Sequence, residues 1–352
     1  MKQAATTETL GLVLSSFVQL SSFLEVICYT VGVLAANVNV IQRIKRWAQD
    51  ETQFESQALD PFLEENWPPK GKIELKSLHT KYKEELPDVL KNINLIVKPG
   101  QKVGILGRTG SGKSTLVLAL LRILESSGKD MIKIDGVSID SVSLKTLRRS
   151  IVTIPQEPYL LQGSLKFNVD PIGLYSDIEI IESLEKIDLF GSIQSANQAE
   201  KVSRASDQNK NQTNSRGQHT DFEGKRELIN SMEIEVRGAN LSLGQRQLIC
   251  IARALIQKPK ILLTDEATAS IDLKADQLIQ ELIKTEFKDT TVLTIAHRLN
   301  TIIEYDKLIV LENGKKVEEG SPKDLLESPG YFYDLVSEGG EQFLKEMMRR
   351  AR

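Results

Sequence analysis

Gly107-Arg108-Thr109-Gly110-Ser111-Gly112-Lys113-Ser114, followed by Thr115, is a complete phosphate-binding loop. Such a loop works only between a buried strand and the helix that leaves it. Both flanks qualify. Lys102 to Leu106 reads as an apolar strand, and Thr115 to Leu124 reads as a helix. The glycines let backbone N–H groups close around phosphates. Lys113 has the reach for β- and γ-phosphates, and the Ser114 hydroxyl can ligate magnesium.

Further strands and helices alternate downstream. Lys72 to Ser77, Lys91 to Lys98, Met131 to Ile134, Lys260 to Thr264, Thr291 to Ile295 and Leu308 to Glu312 read as strands. Ile178 to Leu189, Gly244 to Ile256 and Ala275 to Phe287 read as helices. Alternation around a phosphate loop predicts an α/β domain with a mostly parallel sheet. With 40% hydrophobic residues the chain can bury a real core, and a net charge of −3 argues against binding nucleic acid through a basic surface. Cys28 and Cys250 are too far apart for a disulfide framework or a metal site, which suits a reducing compartment.

Three stretches fall outside that pattern. Leu10 to Ala36 is apolar and exceeds the roughly 20 residues that cross a bilayer. Arg43, Lys45 and Arg46 follow it, which would put its C-terminal side in the cytosol. An amphipathic soluble helix is the open alternative. Asp50 to Pro69 is acidic and ends in Trp67-Pro-Pro69, as a linker or loosely packed strap would. Ser195 to Lys225 is rich in Asn, Gln, Ser and Lys, so it is expected to be a disordered insertion, dispensable for nucleotide binding.

The candidate chemistry gathers at strand ends. Ile261-Leu-Leu-Thr-Asp265-Glu266 is an apolar strand ending in two acids, and such a strand delivers them to the ligand edge of an α/β sheet. Asp265 would hold magnesium; Glu266 would position or deprotonate the attacking water. His297 follows the next apolar strand and is a candidate for γ-phosphate contact, while His79 and His219 read as incidental. Gln156, in Ile154-Pro-Gln-Glu-Pro158, sits in a proline-constrained loop. Its amide could reach magnesium or the water, or it could be an ordinary turn residue. Tyr82 lies among lysines ahead of the loop and could stack on a base or sit half-buried in a strand.

Tyr82, Gly107–Ser114, Gln156, Leu241-Ser-Leu-Gly-Gln245, Asp265-Glu266, Ser270-Ile-Asp272 and His297 occur in this order. The order resembles the nucleotide-binding domain of ATP-binding cassette transporters. Leu86-Pro-Asp-Val-Leu-Lys-Asn-Ile93, Gln162 to Pro171 and Gln245-Arg-Gln-Leu248 resemble the C subfamily of multidrug-resistance-associated-protein-like exporters, its C-terminal cassette in particular. The resemblance implies a phosphate-loop fold with a mostly parallel core sheet, an antiparallel β subdomain and a helical signature subdomain, preceded by a transmembrane helix. It divides the chain into a last transmembrane helix with its cytosolic extension (1–49), a linker (50–71), the cassette (72–340) and a tail (341–352).

The same resemblance implies roles. Tyr82 stacks on adenine, and Gly107 to Thr115 bind ATP. Ser114, Gln156 and Asp265 complete the Mg2+ shell. Glu266 is the catalytic base, with Lys113, Gln156 and His297 around the γ-phosphate. Ser242, Gly244 and Gln245 bind the ATP of a second nucleotide-binding domain in a head-to-tail pair, and Asp272 links the two sites. The family has glycine where this chain has Leu243, whose side chain is expected to crowd the partner's phosphates. Transmembrane domains and a membrane are the further partners, with the cassette in the cytosol. Beginning inside what should be a membrane domain, the chain reads as the C-terminal motor of a longer exporter, and as a fragment. The rivals are a nucleotide-sensing channel regulator and a soluble cassette ATPase. The sequence has no Asn-Lys-x-Asp motif for guanine.

Overall fold

The computed structural model describes residues 2–54, 63, 66–83, 85–193, 218–265, 273–296 and 298–351. The chain divides into two units, Met1–Ala58 and Leu59–Arg352.

The first unit is one helix, α1 (Lys2–Phe54). Within its segment Leu10–Lys45 an 18-residue stretch has a mean hydropathy of 1.7, and the segment exposes its apolar side chains. Thirty-six residues at about 1.5 Å each exceed a hydrocarbon core about 30 Å thick. Three of the hydroxyls within it bond to the helix itself. Ser16, Ser22 and Thr30 each donate to the carbonyl four residues back, at 2.8, 3.2 and 2.7 Å. The helix runs past Asp50, where the linker was expected to begin; no glycine or proline stands between Gly32 and Pro61 to stop it.

The second unit is built on two sheets. The antiparallel one has the order β2-β1-β4-β5, from β1 (Ile73–Thr80), β2 (Leu90–Val97), β4 (Ile132–Ile134) and β5 (Val137–Ser138). The core sheet contains β3 (Lys102–Leu106), β6 (Ile151–Ile154), β9 (Ile261–Asp265), β10 (Thr291–Ile295), β11 (Lys307–Glu312) and β12 (Lys315–Gly320). Its order is β12-β11-β3-β10-β9-β6, parallel throughout except for β12. Strands β3, β9 and β10 are nearly continuous buried runs, as central parallel strands must be. Between the sheets, Ile73, Leu75, Ile93, Ile105, Leu263 and Ile309 share one core.

A helical layer forms a second core. It combines α4 (Leu165–Val169), α5 (Asp177–Lys186), α6 (Gln218–Ser231) and α7 (Leu243–Gln257) with the buried faces of β6, β9 and β10. A short ribbon of β7 (Gly163–Ser164) and β8 (Glu233–Ile234) lies in the same region. A third core gathers Ile302, Leu308, Leu326, Phe332, Val336 and Met347 under the C-terminal helices α10 (Pro322–Glu327), α11 (Tyr331–Ser337) and α12 (Glu341–Arg350). The expected combination of mostly parallel sheet, antiparallel sheet and helical layer is therefore the observed one.

Three local expectations need correction. The helix after the phosphate loop, α2, spans Lys113–Leu120 and stops short of Leu124. Arg122 takes φ 46, and its guanidinium donates to the carbonyls of Ile139 and Val142, both at 3.0 Å. The insertion expected over 195–225 is not irregular at its C-terminal end. Residues 194–217 lie outside the described residues, but α6 begins at Gln218. There Lys225 pairs with Glu185 at 3.1 Å and Arg226 with Asp177 at 2.9 Å. Phe222 and Leu228 pack on the helical core, so a polar composition still contains one docking stripe.

The strap ahead of β1 is anchored rather than loose. Trp67 packs against the inter-sheet core. The Asp135 carboxylate accepts three successive backbone N–H groups, from Lys70 at 2.8 Å, Gly71 at 2.9 Å and Lys72 at 2.7 Å. Hydrogen bonds to a charged acceptor are the stronger kind. Asp135→Ala is expected to cost about 2 kcal/mol, read as a lowered thermal midpoint of the full chain in detergent. An unchanged midpoint would mean that these three hydrogen bonds do not hold the strap.

Candidate functional site

The phosphate loop leaves β3 at Gly107, whose φ is 149. A Cβ there would lie 2.2 Å from the Leu311 carbonyl oxygen, so only glycine fits. Gly112, at φ 103, caps the start of α2, and a Cβ there would meet Leu90 at 2.7 Å. The turn between is tied by Ser111 N–H donating to the Arg108 carbonyl at 3.1 Å, and by Gly314 N–H donating to the Ser111 carbonyl at 3.1 Å. The loop thus wraps the N-terminus of α2, where free N–H groups and the helix dipole favour an anion.

Lys113 is only 6% exposed. Its Nζ donates to the carbonyls of Gly107 at 2.8 Å and Arg108 at 3.1 Å, which holds the ammonium inside the loop. Burial pushes its pKa down, opposed by the nearby Asp265 carboxylate. Ser111 Oγ is buried in the same loop with no hydrogen-bond partner. An orphaned hydroxyl is costly unless something supplies an acceptor. A caged ammonium, an orphan hydroxyl and a helix N-terminus together fit a phosphate group.

Register aligns the remaining groups. Ile105 pairs with Ile295, Ile295 with Asp265, and Thr264 with Ile154. Gly107, Asp265 and the Gln156 loop therefore leave the sheet at one edge. Gln156 is exposed there, and Ser114 is exposed on the first turn of α2. Tyr82 lies beyond the end of β1 and is 52% exposed, and its hydroxyl is 3.2 Å from Thr115 Oγ1. Glu266, Asp272 and His297 lie outside the described residues.

The second cluster is the turn into α7. Ser242 is its N-cap, accepting the Gln245 N–H at 3.2 Å, while Gln245 Oε1 accepts the Ser242 N–H at 2.9 Å. This reciprocal capping box fixes the turn. Ser242 remains exposed, and Gly244 has no atom nearer than 4.0 Å to a notional Cβ.

The pattern of the family described as ABC transporter matches residues 90–269, just over half of the chain. This chain belongs to the ABC transporter family. It is 40% identical over 342 residues to bile pigment transporter 1 of Saccharomyces cerevisiae, covering 96% of this chain and 21% of that protein. It is 40% identical over 333 residues to human ATP-binding cassette sub-family C member 2, covering 95% of this chain and 20% of that protein. The chain thus spans about a fifth of the length of these relatives. A bacterial Atm1-family ABC exporter, solved with ATP bound, superposes with a TM-score of 0.63 at 26% identity, over 78% of this chain and 42% of that one.

The α/β unit is accordingly an ABC ATPase domain of the C-subfamily kind, and the side chain of Gln245 has a structural place in its signature turn. Gln245 was grouped with the ATP contacts, yet its side chain is turned inward. It is 7% exposed, with its carbonyl used by the capping box and its amide donating to the Ser192 carbonyl at 3.4 Å. It shapes the turn that presents Ser242 and Gly244. Leu243 begins α7 with ordinary helical backbone and is absent from the positive-φ positions, so this residue needs no glycine conformation.

The ABC domain also uses residues that the sequence reading missed. Gln247 and Arg253, on the buried face of α7, donate to carbonyls of the Gln156 loop. Asn168 on α4 is fully buried and clasps Leu161, accepting its N–H at 2.9 Å and donating to its carbonyl at 2.8 Å. The available signal was two long polar side chains inside the apolar stripe of an amphipathic helix.

Proposed function

We propose that this cassette hydrolyses Mg2+-bound ATP in partnership with a second nucleotide-binding domain and so drives export across a membrane. Lys113 held over the phosphate loop, at the same sheet edge as Asp265 and Gln156, carries the reading. Gly107 to Thr115 grip the triphosphate by backbone N–H groups and by the ammonium. Ser114, Gln156 and Asp265 are the Mg2+ ligands, and their oxygen-donor chemistry suits a hard cation. When bound, the metal neutralises charge on the phosphate oxygens. Glu266 takes the proton of the attacking water, and His297 donates toward the γ-phosphate. Ser242 and Gly244 offer hydroxyl and backbone donors to the ATP of the second cassette, and Asp272 connects the two sites. The membrane-length segment of α1 supports an integral location with the cassette in the cytosol. Two yeast relatives are named for bile pigments and bile acids, which makes an amphipathic organic anion the first cargo to test.

Tyr82 gives a direct test of the nucleotide pose. Its exposed ring, tethered through its hydroxyl to Thr115 at the start of α2, is available for stacking. Tyr82→Ala is expected to weaken ATP binding by about 1–3 kcal/mol, with Tyr82→Trp tolerated. Fluorescent-nucleotide titration of the full chain checks this, and an Ala variant with wild-type affinity would remove Tyr82 from the site.

A further inference from the structure

Helix α7 carries one buried and one half-buried polar side chain that its apolar face does not need. Gln247 is 1% exposed, among Leu248, Ile249 and Ile251. Arg253 lies deep enough that desolvation pushes its pKa below the usual guanidinium range. Burying an amide or a guanidinium costs free energy that apolar side chains of similar size would not. Each donates to a backbone carbonyl of the same loop. Gln247 Nε2 donates to the Pro155 carbonyl at 3.1 Å, and an Arg253 amine donates to the Tyr159 carbonyl at 3.0 Å. Arg253 also grips Asn168, at its backbone carbonyl and at its side-chain oxygen, while Asn168 clasps Leu161. The loop backbone is pinned immediately before Gln156, three residues after it, and again at Leu161. Gln156 itself stands exposed between the pins.

We propose that Gln247 and Arg253 are positioning residues for the magnesium site, holding the Gln156 loop from the helix whose N-cap is Ser242. This rests on the reading of Gln156 as a metal ligand. Groups that orient a ligand without touching the metal set its affinity through the ligand's placement. A side-chain carbonyl reaching a hard cation tolerates little displacement, because octahedral magnesium demands near-ideal geometry. One rigid helix then ties the signature turn at its N-terminus to the metal ligand beside its buried face.

The test uses the full chain in lipid nanodiscs and binding of a fluorescent ATP analogue, so no turnover is required. Gln247→Met keeps the volume and removes the donor. Arg253→Lys is the milder second variant, able to reach one carbonyl where arginine serves three acceptors. In Gln247→Met, the Mg2+ concentration that half-saturates nucleotide binding is expected to rise about tenfold, while affinity in EDTA stays at the wild-type value. Arg253→Lys shifts the curve in the same direction. In a Gln156→Ala background, Gln247→Met adds no further shift. An equal further shift in that background, or an equal loss of affinity in EDTA, overturns the positioning role and leaves a structural one. So does a Gln156→Ala shift that Gln247→Met fails to reproduce. A Gln156→Ala chain whose Mg2+ curve does not move overturns the ligand assignment itself, and the proposal with it.

Discussion

Lys113→Ala leaves a folded chain that has lost ATP turnover. The ammonium is the cation caged by the loop, held by the Gly107 and Arg108 carbonyls and facing the field of Asp265. On a transferring phosphate it supplies charge that water cannot replace once the site closes. Removing one such preorganised donor costs about 10²–10³-fold in rate. Affinity falls as well, because the same contact exists before the chemistry begins. The fold should survive. Burial depresses the Lys113 pKa, so charge at this position opposes folding, and alanine removes that cost together with two hydrogen bonds. ATP turnover and fluorescent-nucleotide affinity, measured beside a thermal melt of the same sample, check all three points. Unchanged hydrolysis in a purified variant would refute the phosphate-loop assignment.

Glu266→Gln should trap ATP rather than expel it. The variant keeps side-chain size and hydrogen bonding but loses the basic carboxylate, so turnover drops about 10²–10⁴-fold while binding persists. The effect depends on the second cassette. In the proposed head-to-tail pair the phosphate loop would surround the nucleotide from one side, and Ser242 and Gly244 would serve the other molecule's ATP. The chain alone is therefore expected to bind ATP and turn it over slowly. Adding a second cassette should raise the rate. With Mg2+-ATP, Glu266→Gln should lock the two into one species on size exclusion. A monomer hydrolysing at the rate of the pair would sink the shared site, and undiminished turnover in Glu266→Gln would remove the carboxylate from its role.

How much was legible in the sequence follows from the range of the contacts involved. The loop 107–114, the apolar runs of β3, β9 and β10 and the start of α7 are local patterns, and they folded as read. The edge strands were harder. β6 is apolar but only four residues long, too short for a clear period, while β12 is charged and only partly buried, so it lacks a strand's usual apolar signal. The end of α2 was missed because Arg122 turns back to carbonyls of a segment 17 and 20 residues on.

By itself the sequence determined the phosphate loop, the fold class and the order of the nucleotide motifs, since each depends on neighbours a few residues apart. Tertiary structure alone decided how these parts meet. It set β6 beside β9, so that the Gln156 loop and Asp265 share an edge. It turned Gln245 into the capping of its own helix and toward Ser192, 53 residues away. It brought Asp135 to a strap about 65 residues earlier, and Gln247 and Arg253 to carbonyls 92 and 94 residues away. Spacing along a chain encodes what one strand or one turn of helix can reach. Which buried polar group finds which distant carbonyl depends on sheet order and on the demand that every desolvated donor be paired.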